Sequence, residues 1–221
     1  MLPLLASILL FAAAAQSIKL GQFLKTVTFF NGLPFNPFRR SQPSNVSAPV
    51  RASDLLWSKE SNPYGLGFGP LDDVVMGGRS ESAWDGGRWA GFVTTASNGG
   101  FAGVRSRNFL IDASGVQGLT LSLVGDGNRF KFICRDSDDF NGVAWSTSFD
   151  TVKDREVDVK VKFSDLIPTK FARTVQGGPT FNRKTLRAIQ FTFTKFEYDG
   201  GLNSKFREGP FQLDVKKITF F

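Results

Sequence analysis

Histidine is absent from the 221-residue chain, and cysteine occurs only once. Without histidine, Ser-His-Asp and Cys-His catalysis, histidine-ligated zinc and the usual general base near neutral pH are all excluded. The single cysteine, Cys134, cannot form a disulfide within the chain, and one thiol is too few for a structural zinc site. Because Cys134 lies in the alternating run RFKFICRD, we expect a buried strand thiol and not a reactive one. Tyrosine is also scarce, with 2 residues against 24 phenylalanines, which predicts a core filled by aromatic bulk.

Acidic residues are missing from residues 1–53, which carry five basic residues. This stretch accounts for most of the formal net charge of +7, because the remaining 22 basic and 20 acidic residues nearly balance. We therefore do not expect residues 54–221 to bind nucleic acid.

Residues 1–53 have the composition of a targeting leader in two parts. Residues 1–17 contain an apolar run followed by small residues, which is typical of a signal peptide and too short to span a bilayer comfortably. Residues 18–53 lack acids and have serine and proline near their end, as transit peptides do. Together they predict delivery to a plastid by a bipartite leader, with a mitochondrial presequence or a plain secretory route as alternatives. Asn45 begins a glycosylation sequon within this leader.

The hydrophobic period from residue 54 to residue 221 is mostly two, which is typical of strands. Val157, Val159 and Val161 share one face of residues 156–163, and charged residues occupy the other. Further strand candidates are 89–95, 100–107, 143–150, 186–196 and 211–221. About eight such runs, separated by Gly, Asp and Asn turns, predict one all-β domain, an antiparallel β-sandwich of jelly-roll type.

Two local features refine this prediction. Residues 118–136 form two alternating runs around Gly125-Asp126-Gly127-Asn128, whose residue types suit positive φ, and this predicts a hairpin. The chain ends in KKITFF, and its apolar residues predict a packed C-terminus.

Clusters of carboxylates are candidates for catalysis, and glycine-rich runs are candidates for phosphate or dinucleotide binding. Asp72 and Asp73 are adjacent, but neighbours on an extended chain point to opposite faces, and hydrolytic carboxylate pairs come from separate strands. The glycine-rich runs GLGFG and MGGRS match neither a P-loop nor a dinucleotide-binding context. Asp136, Asp138 and Asp139 loosely suggest a calcium loop without its twelfth-position Glu, which favours a solvated turn over a carboxylate enzyme with a metal there.

Aromatic and basic features offer two further surfaces. Exposed Trp84, Trp89 or Trp145 on a concave face would indicate a carbohydrate-binding module, whereas the simpler expectation for every tryptophan is packing. Residues 169–184 contain basic residues and no acid, so they form a basic loop that could contact acidic lipid or a partner.

The order of several motifs resembles the complex I intermediate-associated protein 30 family over nearly all of residues 54–221. These motifs are DDVVMGGRSES, GFVTTASNGGFAGVRSR, LSLVGDGNRFKF, VDVKVKFSDLIPT and FQLDVKKITFF. The resemblance implies a galactose-binding-like jelly roll and an assembly factor without known chemistry. It also implies the clients: mitochondrial members help to build the membrane arm of respiratory complex I, and plastid and cyanobacterial relatives are linked to photosynthetic complexes. Arg79 departs from the family pattern, which often has a small or aliphatic residue there.

We therefore predict a non-catalytic, chaperone-like assembly factor that needs no cofactor or metal. Its expected partners are protein subunits or assembly intermediates of a membrane electron-transfer complex, with the membrane surface as a second candidate. A carbohydrate-binding module is the alternative. The candidate partner-binding residues are Asp72, Asp73, Val75, Met76, Gly77, Gly78, Arg79, Ser80, Glu81, Phe101 and Arg105.

Within this segment, Gly77 and Gly78 are expected to allow a sharp turn. The triplet Val74–Met76 is expected to make core or groove contacts. Asp72, Asp73, Ser80 and Glu81 are expected either to hydrogen-bond the turn or to meet a partner.

Overall fold

The computed structural model describes residues 48–221 together with Thr26, Thr28 and Phe29. The predicted two-part leader and the Asn45 sequon therefore fall almost wholly outside the described residues. Val50 is buried and belongs to the hydrophobic core.

Two antiparallel sheets face each other across one hydrophobic core. Sheet A has the order β3-β4-β13-β6-β9, with β1 also paired to β13. Its strands are β1 (Leu55–Ser58), β3 (Glu81–Asp85), β4 (Arg88–Val93), β6 (Gly118–Gly125), β9 (Glu156–Lys162) and β13 (Gly209–Phe220). Sheet B has the order β11-β10-β8-β7-β12-β5-β2. Its strands are β2 (Phe68–Pro70), β5 (Phe101–Ser106), β7 (Arg129–Arg135), β8 (Ala144–Asp150), β10 (Ile167–Lys170), β11 (Arg173–Thr174) and β12 (Ala188–Thr194).

Short 3-10 turns connect some of these strands, at Asp73–Met76, Ala96–Asn98, Phe163–Asp165 and Arg183–Thr185. The predicted all-β antiparallel sandwich of jelly-roll type is confirmed. No helix within the described residues combines the length and hydropathy that a membrane crossing requires.

Phenylalanine fills the space between the sheets. Phe132 of β7 lies 5.1 Å from Phe191 of β12, and Phe193 of β12 lies 5.3 Å from Phe211 of sheet A, measured between ring centroids. Each fully buried ring of this size contributes about 2–3 kcal/mol of hydrophobic stabilisation. The predicted aromatic core is therefore present, and the Phe193–Phe211 pair joins the two sheets.

The C-terminus and the cysteine behave as the alternation predicts. Ile218 and Phe220 are buried, and β13 pairs with β1, β4 and β6, so the terminus is packed. Cys134 is fully buried in β7, and burial raises the pKa of its thiol far above the ordinary value. Such a thiol is protonated and inert at neutral pH.

The predicted hairpin at residues 118–136 is wrong. Strand β6 pairs with β13 and β9 in sheet A, whereas β7 pairs with β12 and β8 in sheet B. Residues Gly125 to Asn128 therefore cross from one sheet to the other. Period-two alternation identifies the buried face of each strand, but both faces here point to the same core from opposite sides, and alternation does not reveal the pairing partner.

Candidate functional site

The family-like motif at residues 72–82 crosses from β2 of sheet B to β3 of sheet A. Within it, Asp72, Asp73, Ser80 and Ser82 form a hydrogen-bonded group that we call the carboxylate clamp. All four side chains are buried.

Asp73 accepts hydrogen bonds from both neighbouring sheets. Its Oδ1 accepts from the Ser80 amide at 2.8 Å, and its Oδ2 accepts from the Ser80 hydroxyl at 2.8 Å. Its Oδ2 also accepts from the amides of Gly100 at 2.7 Å and Phe101 at 3.2 Å, at the start of β5. Bonds from N–H groups to an ionised carboxylate are about twice as strong as neutral ones, so Asp73 anchors the 3-10 turn to β5.

Asp72 repeats this arrangement one residue earlier. Its Oδ2 accepts from the Ser82 amide at 2.8 Å, and its Oδ1 accepts from the Ser82 hydroxyl at 2.6 Å and the Gly103 amide at 3.0 Å. Ser82 belongs to sheet A and Gly103 to sheet B, so one side chain joins both sheets. Of the two roles predicted for these aspartates, the structure shows turn hydrogen bonding; their burial leaves no carboxylate surface for a partner.

Glycines make room for the Asp73 carboxyl group. A Cβ at Gly78 or at Gly99 would collide with that carboxyl group. Gly77 differs, because its φ of 92° is left-handed while a Cβ there would meet nothing within 4 Å. Only Gly77 therefore serves the sharp turn that the sequence predicts, whereas Gly78 and Gly99 allow close approach to the clamp.

The clamp holds four exposed residues, Val75, Met76, Gly77 and Arg79, which we call the tip. Val74 is buried, but Val75 is 39% exposed and Met76 is 75% exposed. Of the apolar triplet, only Val74 makes the predicted core contact. Exposed apolar side chains on a fixed loop are typical of protein contact sites, and methionine adapts readily to varied surfaces.

The remaining predicted residues lie around the clamp at different depths. Glu81 is half-buried and pairs with Phe92 across β3 and β4. Phe101 is half-buried and contributes its amide to Asp73. Arg105 is only 2% exposed and lies further along β5, where its guanidinium is 4.9 Å from the ring of Phe140. A surface contact through Arg105 would thus need rearrangement.

Burial changes the proton affinity of Arg105. Burial, and secondarily the neighbouring Arg135, lower the pKa of Arg105 to about 10. The guanidinium remains charged at neutral pH.

Sequence reasoning did not single out Lys131, which lies on the same outer face. Its side chain is 6% exposed, its ammonium donates to the Glu197 carbonyl, and it lies 4.3 Å from the Tyr198 ring. Burial lowers the pKa of Lys131 to about 8. In the sequence, the position of Lys131 between Phe130 and Phe132 indicates that its side chain points away from the core. Its burial follows only from the structure, in which the outer face of β7 is covered.

The acidic turn at residues 135–142 ties its carboxylates to separate partners. Asp136 accepts from the Asn182 amide at 3.0 Å, and Asp139 accepts from the Asn141 amide at 3.0 Å. Asp138 lies 3.5 Å from the Arg187 guanidinium. Across the described part of the chain, no three His, Cys, Asp or Glu side chains are grouped to hold a metal ion.

The tryptophans lie in the core or at its edge. Trp57, Trp89 and Trp145 are buried. Trp84 is half-buried and stacks on Phe68 with ring centroids 4.4 Å apart. Of the three tryptophans considered for carbohydrate binding, Trp89 and Trp145 are therefore too buried for stacking, and the ring of Trp84 is stacked on Phe68.

Comparison with known proteins gives one family match and a shared fold. The model of the family described as Complex I intermediate-associated protein 30 matches residues 65–215. No curated protein shows significant similarity to the chain.

Among solved structures, a family 11 carbohydrate-binding module from Clostridium thermocellum in complex with a β-1,3-1,4-mixed-linked tetrasaccharide is 16% identical, with a TM-score of 0.50. The similarity covers 77% of this chain and 96% of that chain. The family 11 module of the cellulase Lic26A-Cel5E from the same organism is 15% identical, with a TM-score of 0.50 over 78% of this chain and 95% of its own. At these identities the likeness shows the sandwich fold alone.

Proposed function

The chain belongs to the complex I intermediate-associated protein 30 family, and we propose that it is a non-catalytic assembly factor that acts by binding protein. Family membership supports a role related to complex I assembly. The proposal adds that the chain works as a chaperone-like scaffold, which holds a subunit or intermediate of a membrane electron-transfer complex.

One observation carries this proposal: the family-like motif presents Val75 and Met76 to solvent from a turn that buried carboxylates fix in place. Because the turn is already ordered, a partner that covers the tip would lose little backbone entropy on binding. Exposed apolar side chains on a rigid support gain hydrophobic free energy when a partner buries them.

The client follows from the compartment. The two-part leader favours a plastid, and we propose that the client there is a photosynthetic counterpart of complex I. A mitochondrial location would make respiratory complex I the client. The carbohydrate alternative has no supporting contact in the structure, since Trp89 and Trp145 are buried and Trp84 is half-buried against Phe68.

Native gel electrophoresis of the organelle tests this function. We expect the full chain to co-migrate with a subcomplex and Met76→Asp to lose at least about tenfold of that association, because a charge would have to be desolvated at the contact. Leu202→Asp is the matched control, since Leu202 is also 75% exposed and lies outside the tip. Circular dichroism should show that both variants remain folded.

Two outcomes would contradict the proposal. One is a wild-type protein that runs only as a free monomer while the complex assembles normally in its absence. The other is equal co-migration of Met76→Asp and the wild-type chain.

A further inference from the structure

A cleft of about 470 Å³ opens between the end of β9 and residues 179–183. We call it the end cleft, and its main walls are Gln117, Trp145, Lys162, Phe163, Phe181 and Arg183. Strand pairing places it far from the clamp: Trp145 pairs with Cys134, and Cys134 pairs with Ile189 near the start of β12. Phe101, whose amide donates to Asp73 of the clamp, pairs with Thr194 at the other end of β12.

Aromatic rings form the apolar side of the end cleft. The Phe181 ring lies 5.7 Å from Trp145 and 5.1 Å from Phe163, measured between centroids. These edge and tilted contacts fix the three rings against one another. A flat apolar group of similar size would find a preformed surface here.

The charged residues that line the end cleft are both cations, Lys162 and Arg183. The Arg183 Nη1 donates to the Val116 carbonyl at 3.0 Å, which holds the guanidinium in place. Asp165 is the acid nearest to Lys162 in the sequence. Its carboxylate accepts from the Ser164 hydroxyl at 2.8 Å, and Asp165 is not among the lining residues. The lining therefore carries a net positive charge and favours an anion.

The indole N–H of Trp145 is the second indication of a ligand. Trp145 is 4% exposed, and within the described residues its Nε1 is buried without a hydrogen-bond acceptor. Buried polar groups in folded proteins nearly always have a partner, so an orphaned donor beside a cleft calls for an explanation. An acceptor oxygen on a bound molecule would supply one if the indole turned towards the cleft, because the Trp145 Nε1 is closed to solvent in this structure.

We propose that the end cleft binds a carboxylate attached to an aromatic-sized apolar body. The carboxylate would be held by Lys162 and Arg183, the apolar body would pack on Phe163 and Phe181, and an acceptor oxygen would satisfy Trp145. Two sources share this chemistry: a small aromatic acid and the C-terminal residue of a peptide. The site is independent of the tip, so its failure would leave the proposed assembly role untouched.

Indole signals report on this site directly. The 4 tryptophans of the ¹⁵N-labelled full chain give separate Nε1–H resonances, and Trp145→Phe identifies the signal of Trp145. We expect a saturable shift of that signal with phenylacetate or N-acetylphenylalanine. N-acetylphenylalanine amide lacks the negative charge of the carboxylate and should bind at least about tenfold more weakly.

Substitutions at Lys162 test whether its positive charge binds the carboxylate. Lys162→Gln should weaken carboxylate binding about tenfold, whereas Lys162→Arg should retain it. Lys160→Gln is the matched control, because Lys160 lies on the same strand and does not line the cleft.

The result also distinguishes the two sources. Tighter binding of N-acetylphenylalanine supports a chain terminus, and tighter binding of phenylacetate supports a small acid. The proposal is overturned if neither carboxylate shifts the signal, if the amide binds equally well, or if Lys160→Gln weakens binding as much as Lys162→Gln.

Discussion

Asp72 and Asp73 join the two sheets through their side chains. Asp72 accepts hydrogen bonds from Ser82 in sheet A and from Gly103 in β5. Asp73 accepts hydrogen bonds from Ser80, just before sheet A resumes at β3, and from Gly100, just before β5. Buried charge is costly unless it is fully hydrogen-bonded, and the serines and backbone amides supply those bonds. Glycines at neighbouring positions are part of the same arrangement, because they leave space for the Asp73 carboxyl group.

Replacing Gly77 or Gly78 by alanine should therefore lower the free energy of unfolding by different amounts. Gly78→Ala should lower the free energy of unfolding by about 3 kcal/mol, because the new Cβ displaces the Asp73 carboxylate from its bonds. Gly77→Ala, the control, should cost about 1 kcal/mol, since only the left-handed φ is unfavourable there. Urea denaturation measures both, and equal losses would refute the role given to Gly78.

Lys131 should make stability depend on pH at the alkaline end. Its pKa is about 8 in the folded chain, mainly through burial, against an ordinary value of 10.5. Glu197 opposes this shift and Arg129 adds to it. Between these two values the unfolded chain binds more protons than the folded one, so the Lys131 contribution to stability rises as the pH rises.

The test compares the wild-type chain with Lys131→Met. The free energy of unfolding of the wild type, relative to this variant, should be constant below about pH 8 and increase from pH 8 towards 10.5. Urea midpoints at pH 7, 9 and 10 give the difference, and Lys170→Met is the control, because Lys170 is the exposed residue of β10. A flat or falling difference would show that Lys131 is not buried in this way.

At the scale of elements, β13 organises sheet A. Its 12 residues pair with β4, β6 and β1, so the last strand of the chain completes the sheet. The tip depends on this sheet too, because β3 pairs with β4 and β4 pairs with β13. Shortening the C-terminus should therefore affect the whole of sheet A.

Substitutions of Phe220 and Phe221 test how far the stability of sheet A depends on the packed C-terminus. Phe220→Ala should lower the free energy of unfolding by about 3–5 kcal/mol, because Phe220 is buried against the core. Phe221→Ala should cost about 1 kcal/mol, since Phe221 is half-buried and follows the strand. Denaturation curves followed by tryptophan fluorescence measure the two losses, and a small loss for Phe220→Ala would contradict the packed terminus.

The described part of the chain is a two-sheet sandwich that carries the tip and, away from it, the end cleft. Both are formed where strands end, which is where β-sandwiches commonly place binding residues on a fixed support. The compartment in which these surfaces act depends on the leader, and we propose a plastid.

A fluorescent fusion of residues 1–53 tests that proposal in an alga with a secondary plastid. We expect the fusion to enter the plastid, because residues 1–17 supply a signal-like segment and residues 18–53 a transit-like segment. A fusion of residues 18–53 alone is the control and should stay outside the plastid. Mitochondrial or secreted fluorescence of the full leader would contradict the two-part assignment.

The sequence by itself determined the β class, the aromatic core and the buried face of β9. These follow from local alternation, as in β9, where Val157, Val159 and Val161 point inward and the charges outward. The same local reasoning predicts the hydrogen bonds that Asp72 and Asp73 accept within their own loop.

Only the tertiary structure decided what lies side by side. It assigned β6 and β7 to different sheets, buried the two aspartates between sheets and separated buried Val74 from exposed Met76. It also brought Lys162 and Arg183 to one cleft from distant positions in the chain. The physical reason is that alternation depends on a residue's immediate neighbours, whereas pairing, burial and clefts depend on which surfaces meet after the chain has closed on itself.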